Sequence, residues 1–367
     1  MKTNRKYGLD LLRILSMMLI TVIHFIAYTG VVEGVKLSDL NKIVLDVLYS
    51  LTTIGVNSFI MITGYFQSEK KLSYKKVFGL WINVVIVSAI LLLVMLIMKE
   101  PISRMQVLKT FFPIATMHYW FLVQYIILMI ASPLLNLLIS FMTKRNHLYV
   151  CIFGFLIISV YYAMNPFVTE IVYLGNQRGI LWFFYMYLVA AYIRKYDVFV
   201  KKGILISSTI FLLLIMSALR FCGYEILGQS KLLENYAVLP FLLTICIFLI
   251  FKRINVSGRY KRNFISALSA CSFYVYIIQE HEAVRSWYWG LFDVTAHAED
   301  IYFLALLLGS ILILWPFAFI FEKLVGILKG ITEKFYVFIQ TIWLMLGDFI
   351  MDKNKLDKAD KKLIDKK

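Results

Sequence analysis

The chain has 367 residues, of which 61% are hydrophobic and 16% are charged, and its mean hydropathy is +0.78. These values exclude a soluble globular protein and predict a multispanning membrane protein. The net charge of +16 does not indicate nucleic-acid binding, because the Lys and Arg residues fall mostly in alternate loops between apolar runs.

The first apolar run, residues 9–31, carries three ionisable side chains: Asp10, Arg13 and His24. A charge in the bilayer core is costly, so such side chains usually face a protein interior or a wet cavity. Arg13 and His24 are eleven residues apart, which places both on one helix face about 16 Å apart along the axis. They are therefore predicted to line one cavity at two depths.

Nine further apolar runs of roughly membrane length predict an all-α, polytopic bundle of about ten transmembrane helices. The ten runs are residues 9–31, 43–66, 77–98, 120–142, 148–164, 180–193, 203–221, 236–251, 264–279 and 302–328. The excess of Lys and Arg in alternate loops places both termini in the cytoplasm. Arg13 then lies near the cytoplasmic end of the first helix and His24 in its outer half.

The predicted membrane domain covers residues 1–330. Residues 331–350 mix aromatic and aliphatic side chains with Glu333, Lys334 and Asp348, which predicts an amphipathic helix lying on the inner leaflet. Residues 351–367 are charged and predict a disordered tail. The four cysteines stand singly in apolar runs, without the spacing of a metal site, so no metal site is predicted.

Three short motifs stand in these spans. The first span has Leu-Asp-Leu-Leu-Arg ending at Arg13, then ten residues and His24; residues 59–65 read Phe-Ile-Met-Ile-Thr-Gly-Tyr; and the fourth span begins Trp-Phe-Leu at Trp120. Together they resemble the membrane-bound acyltransferase 3 family, whose first span carries Arg, ten residues and His. We expect no counterpart of the extra esterase-like domain that some members carry.

The resemblance implies an enzyme of a bacterial plasma membrane that transfers an acyl group, usually acetyl, from cytoplasmic acyl-CoA. The acceptor would be a hydroxyl of a cell-surface polysaccharide or lipid-linked glycan, so the expected partners are acyl-CoA, glycan and membrane lipid. No bound cofactor is implied, since acyl-CoA is the donor substrate.

The expected catalytic residues are His24, Arg13 and Asp10. Acyl transfer to a hydroxyl needs a base, and neutral His is the usual choice. Arg13 can hold the polar end of the donor or polarise its thioester. Asp10, three residues before Arg13, would orient it.

Donor and acceptor contacts are expected from two further groups. The donor group lies at and after the inner end of the second span: Thr63, Gly64, Lys70, Lys71, Lys75 and Lys76. The acceptor group lies in the outer half: Trp120, Tyr276, Gln279 and His281. Gln279 stands where family members often have a His, and His281 follows two residues later.

Each assignment has a structural alternative. Arg13 can snorkel to the inner headgroups with Asp10 as its partner, and His24 can be a hydrogen-bonded structural histidine. The lysines can act only as a topology signal, and Trp120 and Tyr276 as interface aromatics. Two other functions also fit ten helices with buried polar residues: a transporter or flippase for a sugar or lipid-linked glycan, and a glycan polymerase.

Overall fold

A computed structural model of the chain describes residues 5–31, 36–164, 179–222 and 232–364, and within these ranges it is helical without strands. The predicted all-α class is confirmed. The α-helices are α1 Tyr7–Tyr28, α2 Asp39–Thr52, α3 Ile54–Gln67, α4 Tyr74–Ile97, α5 Arg104–Phe111, α6 Trp120–Phe141, α7 Lys144–Phe155, α8 Tyr162–Met164, α9 Ile180–Lys195, α10 Lys202–Phe221, α11 Val238–Lys252, α12 Arg259–Glu280, α13 Glu282–Gly290 and α14 Tyr302–Ile364. A π-helical turn, Leu156–Tyr161, joins α7 to α8.

Local sequence fixes several of these helix starts. Ser38 and Thr143 accept hydrogen bonds from backbone N–H groups three residues later, and so cap α2 and α7. Ser103 and Gln106 form a reciprocal capping box at the start of α5. The second predicted span contains α2 and α3, which meet at Thr53.

Seven helical segments in the described ranges are long and apolar enough to cross a membrane. Each of the ten predicted spans contains a helix, but three miss that limit. Helices α9 and α11 have 16 and 15 residues. Helix α12 is long enough, but it begins with Arg259, Lys261 and Arg262, which lower its mean hydropathy.

Helix α1 lies at the centre of the bundle and belongs to both hydrophobic cores. Met17 and Phe25 belong to a core that α1 shares with α4, α12, α13 and α14, of which α12, α13 and α14 contact α1. Leu9 and Leu12 belong to a second core that α1 shares with α3, α6, α9, α10 and α11, of which α3 and α11 contact α1. A helix that is apolar nearly all round is buried by its neighbours, so the polar residues of α1 are held among protein side chains.

Helix α14 runs without a break from Tyr302 to Ile364. It therefore continues through residues 331–350 and through most of the segment that the sequence predicted as a disordered tail. That segment is rich in Lys and Asp, which recur at helical spacing, and this supports a helix once one is nucleated. The division at residues 330 and 350 stays a prediction, and residues 1–4 and 365–367 lie outside the described part.

Gly64 lies at the contact between α3 and α9. A Cβ atom at this position would be 2.8 Å from the Tyr187 carbonyl oxygen and 3.0 Å from the Ala190 Cβ. Small residues allow membrane helices to approach this closely. The structure therefore gives Gly64, expected from the sequence to contact the donor, a packing role instead.

We predict that Gly64→Ala separates α3 from α9 and destabilises the protein by about 1–3 kcal/mol, the usual cost of overpacking. The measurement is the thermal unfolding midpoint in detergent. Gly79→Ala is the matched control, because a Cβ at Gly79 on α4 meets nothing within 4 Å. An unchanged midpoint for Gly64→Ala would show that the contact is not tight.

Candidate active site

A single cavity of about 830 Å³ lies among α1, α3, α4, α6 and α12, and Arg13 and His24 both line it. Its volume is in the range of small-molecule and cofactor sites. Arg13 lies towards the end of the bundle that contains Lys76, which we call the Arg13 end. His24 lies towards the end that contains Glu280 and Arg285, which we call the His24 end.

Arg13 is held from two sides at its end of the cavity. Its Nη1 atom donates to Asp10 Oδ1 at 3.1 Å and to Ser269 Oγ of α12 at 2.9 Å. Asp10 also accepts from Ser269 at 3.1 Å and from Arg5 Nε at 2.6 Å. Because Asp10 is buried and compensated by two arginines, the Arg13 guanidinium has a fixed position without a buried, unpaired charge.

His24 lies beside a carboxylate that comes from another helix. Its Nε2 atom is 3.2 Å from Glu280 Oε1, and both side chains are largely buried. The Tyr28 hydroxyl, one turn further along α1, donates to the same Glu280 oxygen at 3.1 Å. Arg285 of α13 in turn donates to the Tyr28 hydroxyl at 3.4 Å. Glu280 can therefore orient the imidazole and stabilise its protonated form.

Helices α1 and α12 present matching stripes to the cavity. Four cavity-lining residues of α1 have the spacing i, i+4, i+7 and i+11, and four of α12 have the same spacing: Arg13, Met17, Ile20 and His24 on α1, and Ser269, Phe273, Tyr276 and Glu280 on α12. Arg13 contacts Ser269 and His24 contacts Glu280, so the two helices run parallel with these stripes aligned.

Sequence reasoning missed Ser269 and Glu280. Their eleven-residue separation equals that of Arg13 and His24, and this was the signal that could have found them. On α12 a carboxylate follows a serine by eleven residues, and on α1 an imidazole follows an arginine by eleven residues. Because eleven residues make about three helical turns, each pair lies on one face of its helix.

Aromatic and apolar side chains line the middle of the cavity, between its two polar ends. Among them are both expected acceptor aromatics, Trp120 and Tyr276, together with Phe59, Phe121 and Tyr125. The Phe121 ring lies 5.9 Å from Tyr276 and 6.0 Å from Phe59. Such a wall suits the apolar parts of a ligand and limits the water around its polar ends.

Only some of the donor candidates reach the cavity. Thr63 and Lys76 line it, whereas Lys70, Lys71 and Lys75 are exposed and do not. The polar partner of Thr63 on its own helix is the Phe59 carbonyl oxygen, at 2.9 Å. Two of the donor candidates therefore line the cavity: Thr63 on α3, and Lys76, which the first turn of α4 carries into the Arg13 end.

Gln279 and His281 are fully buried beside the cavity and do not line it. Gln279 points to Met17, with Nε2 3.5 Å from its sulfur, and His281 Nε2 lies 3.5 Å from the Thr110 hydroxyl. Glu280 lies between them at the end of α12, and its side chain is the one of the three that lines the cavity. We therefore correct the expected acceptor contacts: these two residues pack behind Glu280.

His118, two residues before Trp120, also lines the His24 end. Its Nε2 accepts from the Glu282 backbone N–H at 3.4 Å. Burial, with added repulsion from Lys109 and Arg285, lowers the pKa of His118 to about 4. This ring is therefore neutral at pH 7. In the described ranges no group of three or more His, Cys, Asp or Glu side chains forms a metal site.

Comparison with known proteins assigns the chain to a family. A family model described as an acyltransferase domain, that of the acyltransferase 3 family, matches residues 6–326. The chain belongs to the acyltransferase 3 family. The match covers α1 with its Arg13 and His24, and every other helix that lines the cavity. No curated protein and no solved structure matches the chain.

This acyltransferase 3 protein is thus a multi-pass membrane acyltransferase whose cavity holds a fixed arginine at one end and a histidine beside a carboxylate at the other. Acyl transfer needs a donor site, a base and space for an acceptor hydroxyl. The cavity contains residue types suited to each of these needs.

Proposed function

We propose that the protein transfers an acyl group, most simply acetyl, from cytoplasmic acyl-CoA to a hydroxyl of a cell-surface polysaccharide or related glycoconjugate, in a bacterial plasma membrane. The observation that carries this proposal is the single cavity in which fixed Arg13 and the His24–Glu280 pair stand at opposite ends. In this proposal the donor binds at the Arg13 end, the acceptor binds at the His24 end, and the two meet inside the cavity.

The separation of the two ends indicates how the donor lies. Arg13 and His24 are about 16 Å apart along α1. The pantetheine arm of CoA has about a dozen backbone bonds, and an extended chain of that length spans roughly 15 Å. We therefore propose that Arg13 binds the phosphate or pantoyl end of the donor and that the thioester reaches His24. Of the two roles expected for Arg13, this position favours binding of the donor over polarisation of its thioester.

Lys76 lies at the same end as Arg13 and is exposed. A lysine there can pair with the CoA phosphates without the cost of desolvating a buried charge. The aromatic middle of the cavity would surround the pantetheine arm and exclude water from the thioester. The donor then enters from the end that the positive-inside rule places in the cytoplasm.

His24 acts as the general base in this proposal. Its Nε2 atom lies 3.2 Å from Glu280 Oε1, and its side chain lines the cavity in which donor and acceptor would meet. The acceptor oxygen attacks the thioester carbonyl carbon as His24 takes its proton. The carbon–sulfur bond then breaks, and the CoA thiolate leaves and receives the proton from His24. Glu280 stabilises the imidazolium between these two steps.

We predict that His24→Ala lowers kcat for acyl transfer by at least about a hundredfold, the usual contribution of a general base. Glu280→Gln lowers kcat less and leaves KM for acyl-CoA nearly unchanged, because it removes the carboxylate but not the base. The assay follows labelled acyl groups from acyl-CoA to glycan in membranes.

His297→Ala is the matched control for this series. His297 is a half-buried histidine at the end of the 3-10 turn Thr295–His297; it pairs with Asp300 at 3.1 Å and does not line the cavity. Its variant is expected to keep wild-type kcat. Full activity of His24→Ala at normal protein level would refute the assignment of the base, and glycan translocation without ester formation would favour a carrier.

The donor position gives a second prediction. Lys76→Gln is expected to raise KM for acyl-CoA about two- to tenfold at unchanged kcat, since one partly screened contact to phosphate is lost. Lys71→Gln is the control, because Lys71 is equally basic and exposed but does not line the cavity. Equal KM values for the two variants would place the donor phosphates elsewhere.

A further inference from the structure

The charges that line the cavity are unevenly compensated. Among the described residues, its basic side chains apart from histidine are Arg13, Lys76 and Arg285, and its carboxylate is Glu280. Arg13 is paired with Asp10, and Lys76 lies at the end proposed for the donor phosphates. Arg285 lies at the opposite end of the cavity, so donor binding does not explain the presence of this cation.

Among the described residues, Arg285 has a hydrogen-bond partner but no carboxylate in direct contact. Its Nη1 donates to the Tyr28 hydroxyl at 3.4 Å, and its guanidinium carbon lies 4.8 Å from the centre of the Tyr28 ring. Within the described part of the chain, no carboxylate oxygen lies within 4.0 Å of its nitrogens. Glu280 is committed to His24 and to the Tyr28 hydroxyl, at 3.2 and 3.1 Å.

No neighbouring ionisable group in the described ranges pairs directly with Arg285. Lys109 and Glu282 pair with each other at 2.6 Å. The pKa of His118 is lowered to about 4 by burial and by the two nearby cations, so this ring adds no charge at pH 7. Glu280 is separated from Arg285 by the Tyr28 hydroxyl, which contacts both. The half-buried guanidinium of Arg285 thus lines the His24 end of the cavity with N–H groups that no carboxylate contacts directly.

We propose that the acceptor of this enzyme carries an anionic group, a carboxylate or a phosphate, which Arg285 binds while the acceptor hydroxyl lies at His24. This inference rests on the proposed function. Arg285 contacts Tyr28, which lies one turn beyond His24 on α1. The anionic group would then lie about 6 Å along the helix axis from the acceptor hydroxyl. This distance fits two groups on the same sugar residue or on neighbouring sugar residues.

The chemistry of arginine supports this assignment. Its planar guanidinium offers paired N–H groups that match carboxylate and phosphate oxygens, and it stays charged at all working pH values. A neutral sugar needs no such group, since aromatic faces and hydrogen bonds suffice to bind it. Arg285 also orients Tyr28, and a purely structural role there would affect charged and neutral acceptors alike.

The test measures binding of four probes to the full chain in lipid nanodiscs. They are a glucuronate-containing oligosaccharide, its carboxyl-reduced neutral form, a glycerol phosphate oligomer and free glycerol. Wild type is expected to bind at least one anionic probe more tightly than its neutral counterpart. In Arg285→Gln that preference falls about ten- to hundredfold, and Arg285→Lys retains part of it. The two anionic probes distinguish carboxylate from phosphate.

Lys109→Gln is the matched control, because Lys109 is a cation at the same end that is paired with Glu282 and does not line the cavity. Its preference for the anionic probe is expected to equal that of wild type. Equal affinity of wild type for charged and neutral probes, no binding of either anionic probe, or an equal loss of both in Arg285→Gln would overturn the proposal.

A donor-side measurement separates this proposal from the proposed function. Acyl-CoA binding is expected to be the same in wild type and Arg285→Gln, since Arg285 lies away from the donor end. If wild type binds no acyl-CoA, the proposed function fails while the probe-binding results still decide the role of Arg285.

Discussion

The parallel contact between α1 and α12 is the constraint on which the rest of the site depends. Burying ionisable groups within a bilayer requires each to have a partner from another helix. Ser269 meets Asp10 and Arg13 at one end of the contact, and Glu280 meets His24 at the other. Because both helices use the same eleven-residue spacing, one alignment satisfies both ends. A sliding movement of either helix would separate both pairs together.

The surrounding bundle keeps this contact in place and shapes the cavity beside it. Helix α1 belongs to both hydrophobic cores, so neither half of the bundle can move away without exposing apolar surface. The resulting cavity has polar ends and an aromatic middle. That distribution suits a donor with charged phosphates at one end, an apolar arm, and an acceptor bound at the other end.

The sequence was a good guide to class and spans but a partial guide to the site. The charges in an apolar run and the motifs around Arg13 and His24 can be read from short stretches of sequence. They led to the family and the helical class, and both are confirmed. Which side chain of α12 enters the cavity depends on the rotation of that helix against α1. For this reason Glu280 was missed between Gln279 and His281, and Gly64 was taken for a donor contact although it packs on α9.

The most direct test of the account is a structure of the protein in lipid with a non-reactive thioether analogue of acyl-CoA. We predict CoA phosphate or pantoyl oxygens at hydrogen-bond distance from Arg13 or Lys76, and the sulfur atom within about 4 Å of the His24 ring, near the contact distance of nonbonded atoms. A sulfur atom at Arg13, or an analogue bound outside the cavity, would contradict the proposed direction of the donor and the role of His24 as base.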